Sequence, residues 1–144
     1  MKHLVLPLSA LFLVACASAP ADETRVRGVA QFAEDARLGE QVSKICFASR
    51  IDSFGETTRD TVVVEEGRDY YLIETYGTCF NLRNAQRLGV KATDSTCLRP
   101  GDKLVVSDNI FDVRRQLDFT SCTIKSIYEW DPKATPAPTV EDDD

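Results

Sequence analysis

The sequence predicts a mainly β domain of α+β type: a small curved antiparallel sheet or partly open barrel with one short helix, braced by two disulfides. Three observations carry that expectation. Short β-branched and aromatic runs recur between residues 43 and 130, each bounded by Gly, Pro, Asn or Asp. A single stretch, residues 78–88, has helical punctuation at both ends. Four cysteines lie between positions 46 and 122, at gaps of 33, 18 and 25 residues. A length of 144 residues suits one such domain with tails and is too short for two.

Residues 32–42 hold Phe32, Ala33, Ala36 and Leu38 among charges, a weak helical pattern interrupted by Gly39. Residues 43–49, with Ile45, Cys46 and Phe47, read as the first strand, and Asp52-Ser53-Phe54-Gly55 as a turn. Residues 61–65 (Thr-Val-Val-Val-Glu) and the aromatic run 70–76 flank Glu66-Gly67-Arg68-Asp69, where Gly accepts a positive φ; together they predict a β-hairpin. The helix over residues 78–88 starts at a Thr78 N-cap, repeats Leu82, Ala85 and Leu88 on one face, and ends at Gly89. Strands are predicted at 90–93, 96–98 and 103–107, with Arg99-Pro100-Gly101-Asp102 reversing the chain before the last of these. The final strand, 122–130, places Cys122, Ile124, Tyr128 and Trp130 on one face, with Ser126 the exception, and Thr123, Lys125 and Glu129 on the other.

The amino-terminal end reads differently. Lys2 and His3 precede a run from position 4 to 14 that is apolar except for Pro7 and Ser9, the n-region and h-region pattern of a secretory signal. A permanent bilayer span needs about 20 apolar residues, and a buried core helix is disfavoured by Pro7 and by the lack of a polar face. The segment closes on Leu13-Val14-Ala15-Cys16, which resembles the lipobox of bacterial lipoproteins. That resemblance implies cleavage before Cys16, diacylglycerol on its thiol and an acyl chain on the new amino terminus. Three chains, at about 0.8 kcal/mol per buried methylene, anchor permanently where one holds marginally. Ala17 stands where an inner-membrane retention signal would place Asp, so the resemblance implies the outer membrane, facing the periplasm.

The chain then divides into a signal peptide (1–15), a flexible tether (16–28), a disulfide-braced domain (29–130) and a disordered acidic tail (131–144). The tail's Glu141, Asp142, Asp143 and Asp144 lack the alternating spacing that folds a loop around Ca²⁺ and read as a solvated run.

With Cys16 given to lipid, Cys46, Cys79, Cys97 and Cys122 remain, an even count in an exported chain, which predicts two disulfides with three pairings open. Zinc is disfavoured because structural zinc sites bring ligands in close pairs such as Cys-x-x-Cys. The order of the elements favours Cys79 with Cys97, helix start to neighbouring strand, and Cys46 with Cys122, first strand to last. The segments 39–51 (with Ile45-Cys46-Phe47), 70–82 (with Gly77-Thr78-Cys79), 97–104 (with Gly101-Asp102) and 122–130 resemble an uncharacterised family of exported bacterial proteins described as domains of unknown function. That resemblance implies one four-cysteine domain and brings no activity, cofactor or catalytic residue.

The charge is −6, with a pI near 4.8. Cleavage before Cys16 leaves sixteen bases against twenty-three acids, a net of −7, of which residues 131–144 contribute −4. Nucleic acid is thereby disfavoured as a partner. His3 is the only histidine and leaves with the signal, so Cys/His nucleophilic chemistry and imidazole metal sites are not expected. There is no Cys-x-x-Cys and no Gly-rich phosphate loop. Asp52, Asp60, Glu74, Asp102 and Asp108 offer carboxylates for acid/base work but read as solvated faces and turn formers.

Two segments read as binding surfaces. Residues 50–60 hold Arg50, Phe54 and Arg59 in an exposed loop. Residues 109–120 mix Ile110, Phe111, Val113, Leu117 and Phe119 with Arg114 and Arg115, a pattern of interface anchors or of an edge hairpin packed partly into the core. The expected function is a non-enzymatic, lipid-anchored cell-envelope protein that binds another protein or envelope component, without cofactor or metal. Two alternatives are an inhibitor of an envelope-degrading enzyme such as lysozyme, and a hydrolase using carboxylates alone.

Overall fold

The computed structural model describes residues 26–94, 96–109 and 119–135. The signal peptide, Cys16, the tether up to residue 25, Phe111, Arg114, Arg115 and the tail from residue 136 lie outside the described residues. The strands in chain order are β1 (Leu38–Val42), β2 (Ile45–Cys46), β3 (Ile51–Gly55), β4 (Thr61–Glu66), β5 (Asp69–Thr75), β6 (Arg87–Lys91), β7 (Cys97–Leu98), β8 (Lys103–Ser107) and β9 (Thr120–Trp130).

The β4–β5 hairpin forms where it was predicted, with Glu66 opposite Asp69 and Thr61 opposite Glu74, and Gly67 taking φ +65° in the turn. The three consecutive valines of β4 stay buried because this strand is covered on both faces, Val62 and Val64 on one and Val63 on the other. Strands run β3-β4-β5-β9-β8-β6, so two antiparallel three-stranded meanders join across β5 and β9. The sheet curls around a core that includes Ile45, Ile73, Leu82, Leu98, Leu104 and Ile124. Its two edges, β3 and β6, approach across a small gap lined by Ile51–Phe54 on one side and Arg87 and Leu88 on the other. The result is a nearly closed, barrel-like sheet, with β2 and β7 as a separate small pair.

Several local expectations are corrected. Asp52 to Gly55 belongs to strand β3 and not to a turn, since Phe54 lies opposite Val64 and packs against the core. Residues 32–42 are not a helix: a 3₁₀ turn at Gly28–Phe32 leads into β1, where Leu38 pairs with Trp130. The helix over 78–88 is also absent. Asn81 sits at φ +68°, which breaks a helix, and a 3₁₀ turn survives only at Leu82–Asn84. Leu88 and Gly89 instead pair with Val106 and Val105 inside β6, which starts three residues before the predicted strand.

The disulfides are Cys46–Cys97 and Cys79–Cys122, with Cα–Cα distances of 4.0 and 5.6 Å, and not the expected pairing. Topology explains the exchange. Cys46 lies directly opposite Cys97 in the β2–β7 pair, and the chain at residues 76–79 runs beside β9, where Tyr76 N–H donates to the Thr123 carbonyl at 3.0 Å.

The single-face reading of residues 122–130 fails for a related reason. Glu74 faces Ser126 while Thr75 faces Ile124, so Lys125 is an extra residue, a β-bulge. Before it, Cys122 and Ile124 point into the main core. After it the alternation is inverted, so Ile127 joins the main core while Tyr128 and Trp130 turn to the other face. There Val63, Leu72 and Trp130 form a second, smaller core, covered by Val29, Phe32 and Leu38 from residues 28–38.

Candidate functional site

A cleft of about 510 Å³ opens beside this second core, walled by residues 36–39 entering β1, by the β4–β5 turn and by the chain just after β9. Trp130 ends β9 at its base. Phe32 meets the indole edge-on, with centroids 5.4 Å apart and planes at 85°, and the Arg37 guanidinium lies 4.6 Å from the ring centroid.

Arg37 is held from several sides. Its Nη2 and Nε donate to Asp35 at 2.7 and 2.9 Å, its backbone N–H donates to Asp35 Oδ1 at 3.0 Å, and Nη1 donates to both Glu56 carboxylate oxygens at 3.0 Å. The Asp35 carboxyl is therefore lowered to about 2, first by the Arg37 side-chain hydrogen bonds and then by the Arg37 N–H. The Arg37 carbonyl accepts from Asp131 N–H at 2.9 Å, which ties the chain after β9 to the opposite wall. The rim carries Arg68, Lys133, Asp69 and Glu129, and Tyr70 lines the cleft beside the second core, while the Tyr71 ring packs against the main core from the other face of β5. Both phenols titrate above their ordinary range, Tyr70 because it bonds Glu65 and Tyr71 because it is partly buried, so both remain neutral at neutral pH. Trp130 is itself buried under Phe32 and Arg37, so half-buried Tyr70 offers the cleft its aromatic surface within a rim of both signs, which suits a ligand with an apolar body and polar ends.

The wall of residues 28–38 is fastened by one buried carboxylate, Asp60, and packs against a second, Glu74. Asp60 accepts from Gly28 N–H at 3.0 Å, from Gln31 Nε2 at 3.1 Å and from Thr58 Oγ1 at 3.0 Å. Glu74 accepts from Ser126 Oγ at 2.6 Å and from Lys125 Nζ at 3.0 Å, and the pairing raises the lysine pKa. Gly28 closes the arrangement: it takes φ +63°, and a Cβ there would overlap Glu74 Oε1 and lie 2.8 Å from Glu74 Cδ.

Of the carboxylates singled out from the sequence, Asp60 and Glu74 thus meet at Gly28. Asp102 is buried elsewhere, accepting from Thr93 N–H and Oγ1 at 2.8 and 2.7 Å and from Arg99 N–H at 2.7 Å. Asp52 and Asp108 are exposed.

Among the candidate binding residues that are described, Arg50, Phe54 and Arg59 do not converge. Arg50 is exposed, with Nε 3.3 Å from Glu66 Oε1 and its guanidinium 5.5 Å from the Phe47 ring. Phe54 is half-buried against the main core, and Arg59 is exposed at a different, smaller pocket. No local signature marks Arg37, Tyr70 or Trp130 in the sequence, because the cleft joins three remote segments. The one available hint was a lone tryptophan at the end of the last strand.

Among the described residues no group of three or more His, Cys, Asp or Glu is placed to hold a metal ion, and no helix is long and apolar enough to cross a membrane. Residues 1–141 match a family whose description is "Family of unknown function (DUF6491)". No curated protein and no solved structure matches the chain.

Proposed function

We propose that this chain, which belongs to the DUF6491 family, is a non-enzymatic, lipid-anchored binding module of the bacterial envelope whose ligand or protein partner docks in the cleft beside Trp130. The observation that carries the reading is a preformed cleft whose Arg37 wall is already fixed by Asp35, Glu56 and the Asp131 peptide. Preorganisation of this kind lowers the ordering cost of binding. Asp60, Glu74 and Asp102 are engaged in holding the fold, which favours binding over carboxylate catalysis. The anchor and the periplasm-facing location rest on the lipobox at residues 13–16.

Two experiments test the parts separately. A photo-crosslinking residue at Tyr70 in intact envelopes should capture one dominant partner, identified by mass spectrometry, while the same group at exposed Lys91, outside the cleft, should not. Equal capture at both positions would remove the cleft from the reading. Cys16→Ser should abolish acylation and leave an uncleaved precursor; a processed, membrane-bound Cys16→Ser protein would overturn the anchor.

A further inference from the structure

We infer that a second pocket, distinct from the Trp130 cleft, is a binding site for a phosphate group. It measures about 170 Å³ and is lined by Arg27, Arg59, Arg83, Thr78, Gln31 and Asp60, together with Val26, Thr57 and Thr58. Three arginines from remote parts of the chain meet there, in a protein whose net charge is −6. None of the three makes an ion pair among the described residues, whereas Arg37, Arg50 and Arg99 each have a carboxylate partner. Arg68 and Arg87 are likewise unpaired among the described residues, but neither shares a pocket with another unpaired arginine. Exposed guanidiniums drawn together without partners repel one another, and an oxyanion between them relieves that repulsion.

The backbone beneath each arginine is fixed. Gly28 N–H, next to Arg27, donates to Asp60 at 3.0 Å. The Arg59 carbonyl accepts from Cys79 N–H at 2.7 Å, and Cys79 is bonded to Cys122. The Arg83 carbonyl accepts from Thr57 Oγ1 at 3.0 Å. The three Cα positions are therefore set before any ligand arrives, and only the side chains need to order.

Available donors narrow the ligand chemistry. Thr57 donates to Arg83, Thr58 donates to Asp60, and both Gln31 bonds go to Gly28 and Asp60. That leaves the three guanidiniums and the Thr78 hydroxyl. Asp60 contributes one negative charge at the pocket, already spread over three hydrogen bonds, so three cations against one anion leave a net positive site. A carboxylate presents two oxygens in one plane. Phosphate presents oxygens in several directions with up to two charges, the better match to guanidiniums arriving from three segments.

The phosphate could belong to a lipid headgroup or be free. On the lipid-anchor reading, Val26 at the pocket lies within about 35 Å of extended chain from Cys16, in reach of headgroups. The pocket itself does not depend on that reading.

The test uses the full chain in a non-ionic detergent, titrated with inorganic phosphate and separately with dihexanoyl phosphatidylglycerol, with sodium chloride at matched ionic strength as control. Backbone amide resonances of residues 26–28, 57–60 and 78–83 should shift saturably. Arg59→Gln and Arg83→Gln should each weaken binding about tenfold, the scale of one hydrogen bond to a charged group, with Trp130 emission unchanged as the check on folding. Saturation by both titrants identifies the phosphate group itself; saturation by the phospholipid alone identifies a headgroup. Equal shifts with chloride, no saturation with either titrant, or undiminished binding by Arg27→Gln/Arg59→Gln/Arg83→Gln would overturn the proposal.

Discussion

Gly28→Ala probes the fastening that gives the cleft its wall. Alanine in the left-handed region at φ +63° costs about 1–2 kcal/mol. Its Cβ would occupy the position of Glu74 Oε1, which Lys125 Nζ bonds, and lie 2.8 Å from Cδ, so the whole carboxylate must shift away from Lys125 and from Ser126, which bonds Oε2; this forfeits charge-assisted hydrogen bonding of about 1.5–3 kcal/mol. The expected loss is thus about 2.5–5 kcal/mol if residues 28–38 stay docked. If undocking costs less, those residues lift instead, and Phe32 and Arg37 leave the indole. Urea unfolding followed by Trp130, the only tryptophan, reports both cases: a lowered midpoint in the first, and a red-shifted native emission with faster amide exchange at residues 28–38 in the second. In a Glu74→Ala background the overlap is gone, and Gly28→Ala should cost only the backbone term of about 1–2 kcal/mol. Equal costs in the two backgrounds, or no change in either observable, would refute the reasoning.

Non-reducing peptide mapping should recover Cys46 linked to Cys97 and Cys79 linked to Cys122. With sequence separations of 51 and 43 residues, replacing either pair by alanines should lower stability by about 4 kcal/mol on the loop-entropy estimate, and losses below about 1 kcal/mol for both would contradict it. Because the Asp35 pKa is lowered from 3.8 to about 2, the stabilisation it gives is present above 3.8 and lost as pH falls through 2. The stability gap between parent and Asp35→Asn should therefore be constant at neutral pH and close in that acid window; a gap that persists below it would count against the Arg37 pairing as its cause. Burial alone would raise the Asp102 pKa, but hydrogen bonds from Thr93 and from Arg99 N–H outweigh it and the net shift is downward. Asp102→Ala strands those three donors and should cost about 3 kcal/mol or more by urea denaturation at neutral pH, less once acid protonates the parent; a neutral-pH loss under about 1 kcal/mol would sink this account.

How much of this was legible depends on the range over which each feature is decided. The β4–β5 hairpin and β8 followed from residues within a few positions of one another, a β-branched run and a turn glycine. Leu82, Ala85 and Leu88 fit a helical stripe equally locally, yet Leu88 serves a strand in which it alternates with Val90, both half-buried. Nothing within that window announces that Cys79 is held by Cys122 and by the Arg59 carbonyl. The disulfide exchange has the same origin, since pairing follows strand neighbours and β2 lies beside β7. Gly28 reads as the end of a tether in the sequence because its need for glycine comes from Glu74, 46 positions away. The cleft was invisible for the same reason, being assembled from residues 36–39, 68–71 and 129–134.

The bulge at Lys125 links these features. With strict alternation, Trp130 and Tyr128 would continue the face of Cys122 and Ile124 and enter a core already filled by Ile73, Leu104 and Val106. One extra residue turns them outward, and an apolar outer face on β4, β5 and β9 then has to be covered. Residues 28–38 cover it, arriving over Trp130 as Phe32 and Arg37 before continuing as β1. The same inserted lysine supplies the charge that Glu74 pairs with, and Glu74 closes against Gly28. The second core, the segment that covers it and the carboxylate beside which that segment docks therefore follow from a single departure from period two. The cleft is the space left between that cover, the β4–β5 turn and the chain leaving β9, so its shape is set by the register of β9 more than by any residue on its rim.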